Sequence, residues 1–483
     1  MPITQLPITN GFYLSDSLPI SAQECVNWYV NAPQAPALAT ETLFRTPGAE
    51  QLATTGTVNQ ANRGAWVLNG KPYFVNGGSL YRLNESGSTY TTTNLGAISG
   101  SGRVSMADNG TQLFILVPGG NGYVFTESPD TLTQITDADF TANGQPQYVV
   151  FIDGYFVITT DSKKFIISAL NDGLSYNALD FGSAEANPDD TVAPFVFKNQ
   201  LFIMGSVTGE GFQNIGGADF PFQRSGLYLS KGVKSPLSLI ESNDTFMWIG
   251  GGKNESPAIW QLAGNTVEKV STTAIDNVLQ DFSSDELNQA FAWSYAEKGA
   301  YFVGFSLPNT TLVIDAITGR WHERKSAFST AAGGKQSVRF RANSVVNAYG
   351  MTIIGDSIDG RIGKLCKSAL DEYGSGIIRT VSSQPFQNNM QAFTIPMIEL
   401  TVESGAGNAD VVDPKVSMAI SLNGGKTFRD ERARSIGGIG DYKRRAVWRR
   451  NGRIPRIAVL KFTLADAVDT SIIQLTADMR AAS

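Results

Sequence analysis

The chain has 483 residues and a mass of 51.9 kDa, is 42% hydrophobic and only 17% charged, and carries a net charge of −6. That size predicts two to four domains, or one large β architecture beside a smaller one. One histidine (His322) and two cysteines (Cys25 and Cys366) exclude His-clustered metal sites, a Cys-rich zinc site, a disulfide scaffold and any Ser-His-Asp or Cys-His mechanism that does not use that histidine.

The two cysteines give no spacing that asks for a bridge, so a reducing compartment is expected. No run of 18 apolar residues is present, so no spanning helix is expected. The start, MPITQLPITNGFYLSDS, lacks the basic stretch and apolar core of a secretory signal. Residues 1–60 hold six of the twenty prolines and little alternation, which predicts an extended arm that wraps the body or reaches a neighbouring subunit.

From 61 to 385 the pattern is β. Short Val-, Ile-, Phe-, Tyr- and Thr-rich runs alternate with Gly and Asn turns. Lys71-Pro72-Tyr73-Phe74-Val75 is followed by Ser79-Leu80-Tyr81-Arg82-Leu83, and similar runs recur at 112–117, 155–160, 200–204, 300–305 and 352–354. Tight turns at Asn69-Gly70, Asp153-Gly154, Lys198-Asn199 and Lys298-Gly299 precede strands that carry aromatics. The units repeat roughly every 40 to 55 residues, the spacing of four-stranded propeller blades, and six or seven fit the segment. One closes on Thr311–Asp315, the turn at Thr318-Gly319 and Trp321. One stretch breaks the alternation: Ile275, Val278, Leu279 and Phe282 have helical spacing, and Ser284 before Asp285-Glu286-Leu287 reads as the N-cap of a second short helix.

Residues 386–483 predict a separate β-sandwich, with strands at 395–402, 415–422, 445–448 and 456–464. Its charge is concentrated. Between 426 and 456 stand Lys426, Arg429, Arg432, Arg434, Lys443, Arg444, Arg445, Arg449, Arg450, Arg453 and Arg456, against Asp430, Glu431 and Asp441. Such a segment creates a strong local positive potential suited to an acidic protein surface or a phosphate backbone. A solvated strand edge that blocks aggregation is the plainer alternative.

Signals for chemistry are weak. Gly425-Lys426-Thr427 mimics the end of a phosphate loop, but Ile420 stands where its first glycine is required. Ser421–Phe428 resembles the Asp-box hairpin of sialidase-type propellers with Asn423 in place of Asp, a structural turn there. Asp189 with Asp190 and Asp356 with Asp359 are the carboxylate pairs that a glycosidase would need, and both sit in turn-like sequence (Asn187-Pro188 before the first), where carboxylates bond their own backbone.

Several segments, in order along nearly the whole chain, resemble the packaged-DNA stabilisation or tail hub (nozzle) proteins of short-tailed Salmonella-type bacteriophages. They are Met1–Pro7, Asn27–Val30 with Phe44–Gly48, Ser101–Ala107, Asp219–Phe222, Ser271–Ile275, Thr318–Arg324 and, most distinctively, Tyr442–Ile454. The resemblance implies a structural virion protein with no catalytic, cofactor or metal site. Its members form a homohexameric ring below the portal and tail adaptor, extend the DNA channel without sequence-specific binding, retain the packaged genome until ejection, and support tailspike, fibre or needle proteins. It implies assembly in the host bacterial cytoplasm and residence in the virion tail, with no membrane span. The interface residues read from this segment are Tyr442, Lys443, Arg444, Arg445, Trp448, Arg449, Arg450, Arg453 and Arg456, with the arginines on an acidic partner surface and Trp448 and Tyr442 as anchors. The alternative is a glycan-binding or sialidase-like propeller used in host-receptor recognition.

Overall fold

The computed structural model describes residues 3–184, 189–217, 220–329 and 335–481. Met1, Pro2, Asn187, Pro188 and Asp219, on which parts of the sequence reading rest, lie outside the described residues.

Among the described residues, seven blade-like sheets surround a common central space. The first six begin with Asn62–Leu68, Ser105–Asp108, Pro146–Ile152, Thr191–Phe197, the two short strands Gly232–Val233 and Ile240–Ser242, and Phe291–Glu297. The seventh comprises Ala342–Ala348, Met351–Asp356 and Arg361–Cys366, and its fourth strand is Gly48–Thr54 from the other end of the chain. That strand closes the ring by pairing antiparallel with Arg361–Cys366, Cys366 opposite Gly48 and Arg361 opposite Thr54.

Local turn chemistry sets the register. Leu68 pairs with Lys71, Ile152 with Tyr155, Phe197 with Gln200 and Glu297 with Ala300, each across a two-residue loop. Both loop residues have positive φ in every case: Asn69 +50° and Gly70 +75°, Asp153 +50° and Gly154 +88°, Lys198 +48° and Asn199 +58°, Lys298 +46° and Gly299 +85°. Mirror-image turns of this kind match the right-handed twist of the strands they join, and Asn, Asp and Gly tolerate them best. Apolar side chains then fill the gaps between blades. Phe114 meets Phe156 at 5.0 Å between the second and third, and Phe165 meets Phe212 at 5.1 Å between the third and fourth.

The predicted helices are present as α1 (Thr273–Gln280) and α2 (Ser284–Asn288). The second cap differs from the sequence expectation: Ser283, not Ser284, is the N-cap. Its hydroxyl accepts the Glu286 N–H while the Glu286 carboxylate accepts the Ser283 N–H, a reciprocal box that satisfies two otherwise free donors. Ala274, Ile275, Leu279 and Leu287 are buried in a core that runs on into the sandwich.

Two sheets form the sandwich. One contains Ala446–Arg449, Phe393–Val402, Ser471–Ala481, Thr42–Arg45 and Trp28–Asn31, in that order. The other contains Cys25–Val26, Arg379–Ser382, Ile457–Leu464, Lys415–Ser421 and Arg429–Ser435, and is continuous with the sixth blade through the pairing of Val26 with Glu323. The amino-terminal segment is thus a run of short strands shared by both units. Thr4–Leu6, Cys25–Val26, Trp28–Asn31 and Thr42–Arg45 pair in the sandwich, and Gly48–Thr54 pairs in the propeller.

Candidate interaction surface

The Arg-rich strands Arg429–Ser435 and Ala446–Arg449 do not pair with each other. They are edge strands of opposite sheets and meet at one open side of the sandwich. Arginine side chains bridge the gap: Arg432 donates through Nη1 to the Arg449 carbonyl (3.2 Å) and through Nη2 to Asn451 Oδ1 (2.5 Å), and Arg434 Nε donates to the Val447 carbonyl (2.9 Å). A sheet edge otherwise presents unpaired carbonyls, and here guanidinium groups occupy them.

Period-two alternation sorts the rest. Ala446 and Trp448 point inward, opposite Leu400 and Ile398, while Arg445, Val447 and Arg449 point outward. Trp448 has 0% exposure, its Nε1 donates to the Arg432 carbonyl at 2.7 Å, and its ring lies 5.5 Å from Phe462 on the facing sheet. It is a core residue of the sandwich and has no surface to offer a partner. Tyr442 is 73% exposed and lies near Gly405, on loops whose Ile439 and Val412 are also exposed.

Lys443, Arg444, Arg445, Arg449, Arg450, Arg453 and Arg456 are all exposed. Arg445 binds the Glu399 carboxylate through both Nε (2.7 Å) and Nη2, and that contact holds the Glu399 carboxyl below its usual range. Arg444 pairs with Asp441 at 3.1 Å. Lys443, Arg449, Arg450, Arg453 and Arg456 hold no salt bridge among the described residues. Five cations without a salt bridge among the described residues, on Ala446–Arg449, the turns flanking it, Arg453–Ile454 and the bend after it, give a donor-rich surface for carboxylates or phosphates.

The residues considered for chemistry serve the fold. Asp189 accepts the Val207 and Thr208 N–H groups at 2.8 and 2.9 Å. Asp356 pairs with Arg341 and accepts the Ile358 N–H, and Asp359 pairs with Arg361. Asn423 organises its hairpin by accepting the Thr427 N–H (3.0 Å), with Gly424 and Gly425 at positive φ. His322 is fully buried beside Arg324, which donates to its Nε2 at 3.4 Å; burial, then that positive charge, pushes its pKa well down. Cys25 is buried and Cys366 partly so, and both are free thiols.

Sequence reasoning missed the seam between the two units. Asn27 adopts φ +58° and donates to the Lys325 and Ile378 carbonyls at 2.8 and 2.7 Å, tying the amino-terminal segment to both. Arg45 pairs with Asp469 (2.5 Å) and donates to the Ala369 and Lys367 carbonyls. Arg341 and Asp356, at 2.6 Å, are a fully buried ion pair with Glu372 alongside. The only visible signal was that Asn27–Val30 and Phe44–Gly48 carry part of the family resemblance.

A family model described as "Bacteriophage P22 Gp10, beta-propeller" matches residues 4–369, and one described as "Bacteriophage P22 Gp10, beta-sandwich" matches residues 379–480. The chain is 22% identical over 405 residues to the tail hub protein gp10 of Salmonella phage P22, a match spanning 80% of this chain and 81% of that protein. Among solved structures it is similar to the WD40 β-propeller domain of Doa1 (TM-score 0.40, 14% identity, 66% of this chain and 97% of that one) and to the N-terminal domain of Nup159 (TM-score 0.41, 12% identity, 71% and 99%). With both family models matched in order over nearly its whole length, the chain belongs to the Bacteriophage P22 Gp10 family of a β-propeller followed by a β-sandwich.

Proposed function

We propose that the chain is a non-enzymatic tail hub protein of a phage virion. The observation that carries this reading is the full-length family match together with the similarity to the P22 tail hub protein. In this proposal six copies form a ring below the portal and adaptor. The ring continues the DNA channel, helps retain the packaged genome until ejection, and seats tailspike, fibre or needle proteins. Assembly takes place in the host cytoplasm.

The basic edge of the sandwich supplies the contact. Lys443, Arg449, Arg450, Arg453 and Arg456 are free to meet an acidic surface on a neighbouring subunit or adjoining tail protein, and Arg444 and Arg445 add to the field. Tyr442 provides an exposed aromatic anchor at one end, and Trp448 acts from below by fixing the strand that presents the arginines. Arginine suits the task because its fork grips a carboxylate at two points.

Electron microscopy of the purified full chain, alone and mixed with portal–adaptor complexes, tests the proposal. Six-fold rings, formed alone or on the adaptor, are expected. A chain that stays solitary and never joins the adaptor overturns it.

A further inference from the structure

The first strands of six blades, or the residues leading into them, and for the fifth blade residues 236–239 between its two short strands, line the propeller's central channel, which holds a chamber of about 270 Å³ walled mainly by Val, Pro, Leu and aromatic side chains. At the end where those strands begin, the channel opens into a cavity of about 730 Å³ that shares Arg103, Tyr148, Leu237 and Phe291 with the chamber and adds Arg339. This is the size range of small-molecule sites.

Its charge is one-sided. The lining holds two arginines and no aspartate or glutamate. Arg103 lies with its guanidinium 3.6 Å over the Phe291 ring, and its Nε and Nη1 are shielded from solvent with no hydrogen-bond partner among the described residues. Arg339 approaches the same ring at 5.6 Å and, among the described residues, donates to the Phe340 carbonyl (3.3 Å) and Asn343 Oδ1 (2.6 Å). Asp356 attracts Arg339 from a distance, but its carboxylate is engaged by Arg341 at 2.6 Å. Neighbouring Arg63 differs, since its donors are taken by the carbonyls of Gly77, Ile98, Ser99 and Gly102. Burial pushes both cavity arginines toward lower pKa, Arg103 to about 9, with Arg339 adding to the effect. Two like charges set close together, partly withdrawn from water and with no carboxylate in the lining, cost free energy that an entering anion relieves.

We propose that this mouth of the propeller channel binds an oxyanion, a carboxylate or a phosphate borne on a small molecule, with Arg103 and Arg339 as its charged donors. Phe291 packs against the two guanidinium groups, and Tyr148, Gln289 and Asn343 are among the neutral polar neighbours on the wall. The site lies in the propeller and does not involve the basic edge of the sandwich.

Isothermal titration calorimetry of the purified full chain with citrate and, separately, with inorganic pyrophosphate tests this. Saturable binding of at least one probe is expected, one per chain, weakened tenfold or more by Arg103→Gln and by Arg339→Gln, with folding checked by circular dichroism. Arg339→Gln alone decides if Arg103→Gln does not fold. Tighter citrate binding assigns the carboxylate, and tighter pyrophosphate binding the phosphate. If neither probe saturates, if binding survives both substitutions, or if it is lost instead in Arg449→Gln/Arg453→Gln, the assignment is wrong.

Discussion

Glu372 makes the propeller's closure sensitive to pH in a direction opposite to most carboxylates. Its side chain is fully enclosed where Asp371–Glu372 runs parallel to Gly48–Thr54, the closing strand. Burial pushes its pKa from 4.5 up to about 7 and Asp356 adds to the rise, while a hydrogen bond with Ser326 and the Arg341 charge offset part of it. The folded state therefore holds a proton that the unfolded state has lost across this window, so stability is full below pH 4.5 and declines as pH rises toward 7. Those two pKa values give a loss on the order of 2–3 kcal/mol between pH 5 and pH 8 from this one side chain. Glu372→Gln keeps the shape and cannot ionise. Urea unfolding followed by tryptophan fluorescence at both pH values, with reversibility checked, should show the variant gaining on the order of 2–3 kcal/mol on the native chain between pH 5 and pH 8. Parallel pH profiles, or a gap that widens toward acid, would refute the placement of a neutral Glu372 beside the Arg341–Asp356 pair.

Other perturbations separate the roles assigned above. Trp448→Ala should cost about 3–5 kcal/mol, because it empties a core position and frees the Arg432 carbonyl, whereas Tyr442→Ala should change stability by no more than about 0.5 kcal/mol; thermal melts of the two variants compare them directly. Gly48→Ala would set a Cβ 2.3 Å from the Asp371 carbonyl and 2.7 Å from that of Ala369, so the closing strand should loosen, with new protease cleavage within 48–54 and a lower melting point. Replacing Arg444, Arg445, Arg449 and Arg450 with Ala should leave the melting point nearly unchanged and weaken attachment to phage particles with a strong salt dependence; unchanged attachment in a particle-binding assay removes the basic edge from the interface.

What the sequence revealed and what it hid divide along the range of the interactions. Hairpins such as Asn69-Gly70 and Lys298-Gly299 were legible because two adjacent residues decide them, and the blade pattern followed. The choice between six and seven blades was not, since the last blade takes its outer strand from Gly48–Thr54, some 300 residues away, and no local pattern announces that pairing. The cations of 426–456 were equally plain, but their division into bridging Arg432 and Arg434, paired Arg444 and Arg445, and Arg449, Arg450, Arg453 and Arg456, which hold no salt bridge among the described residues, depends on which sheet each strand joins. Trp448 read as an anchor because an aromatic among arginines fits a hot spot; the alternation that turns it inward counts only once its strand is set against Phe393–Val402.

The same long-range pairings govern how a load would travel through the molecule. In most two-domain chains a linker joins bodies whose interface is modest, and relative motion is the default. Here the sixth blade continues through Cys25–Val26 into a sandwich sheet, the seventh is closed by Gly48–Thr54, and Arg45 binds Asp469 between these two stretches. Sliding the sandwich against the propeller must therefore break strand hydrogen bonds and expose the Asn27 and Arg45 donors, rather than bend a hinge. A partner gripping the basic edge would pull on the propeller ring through that seam.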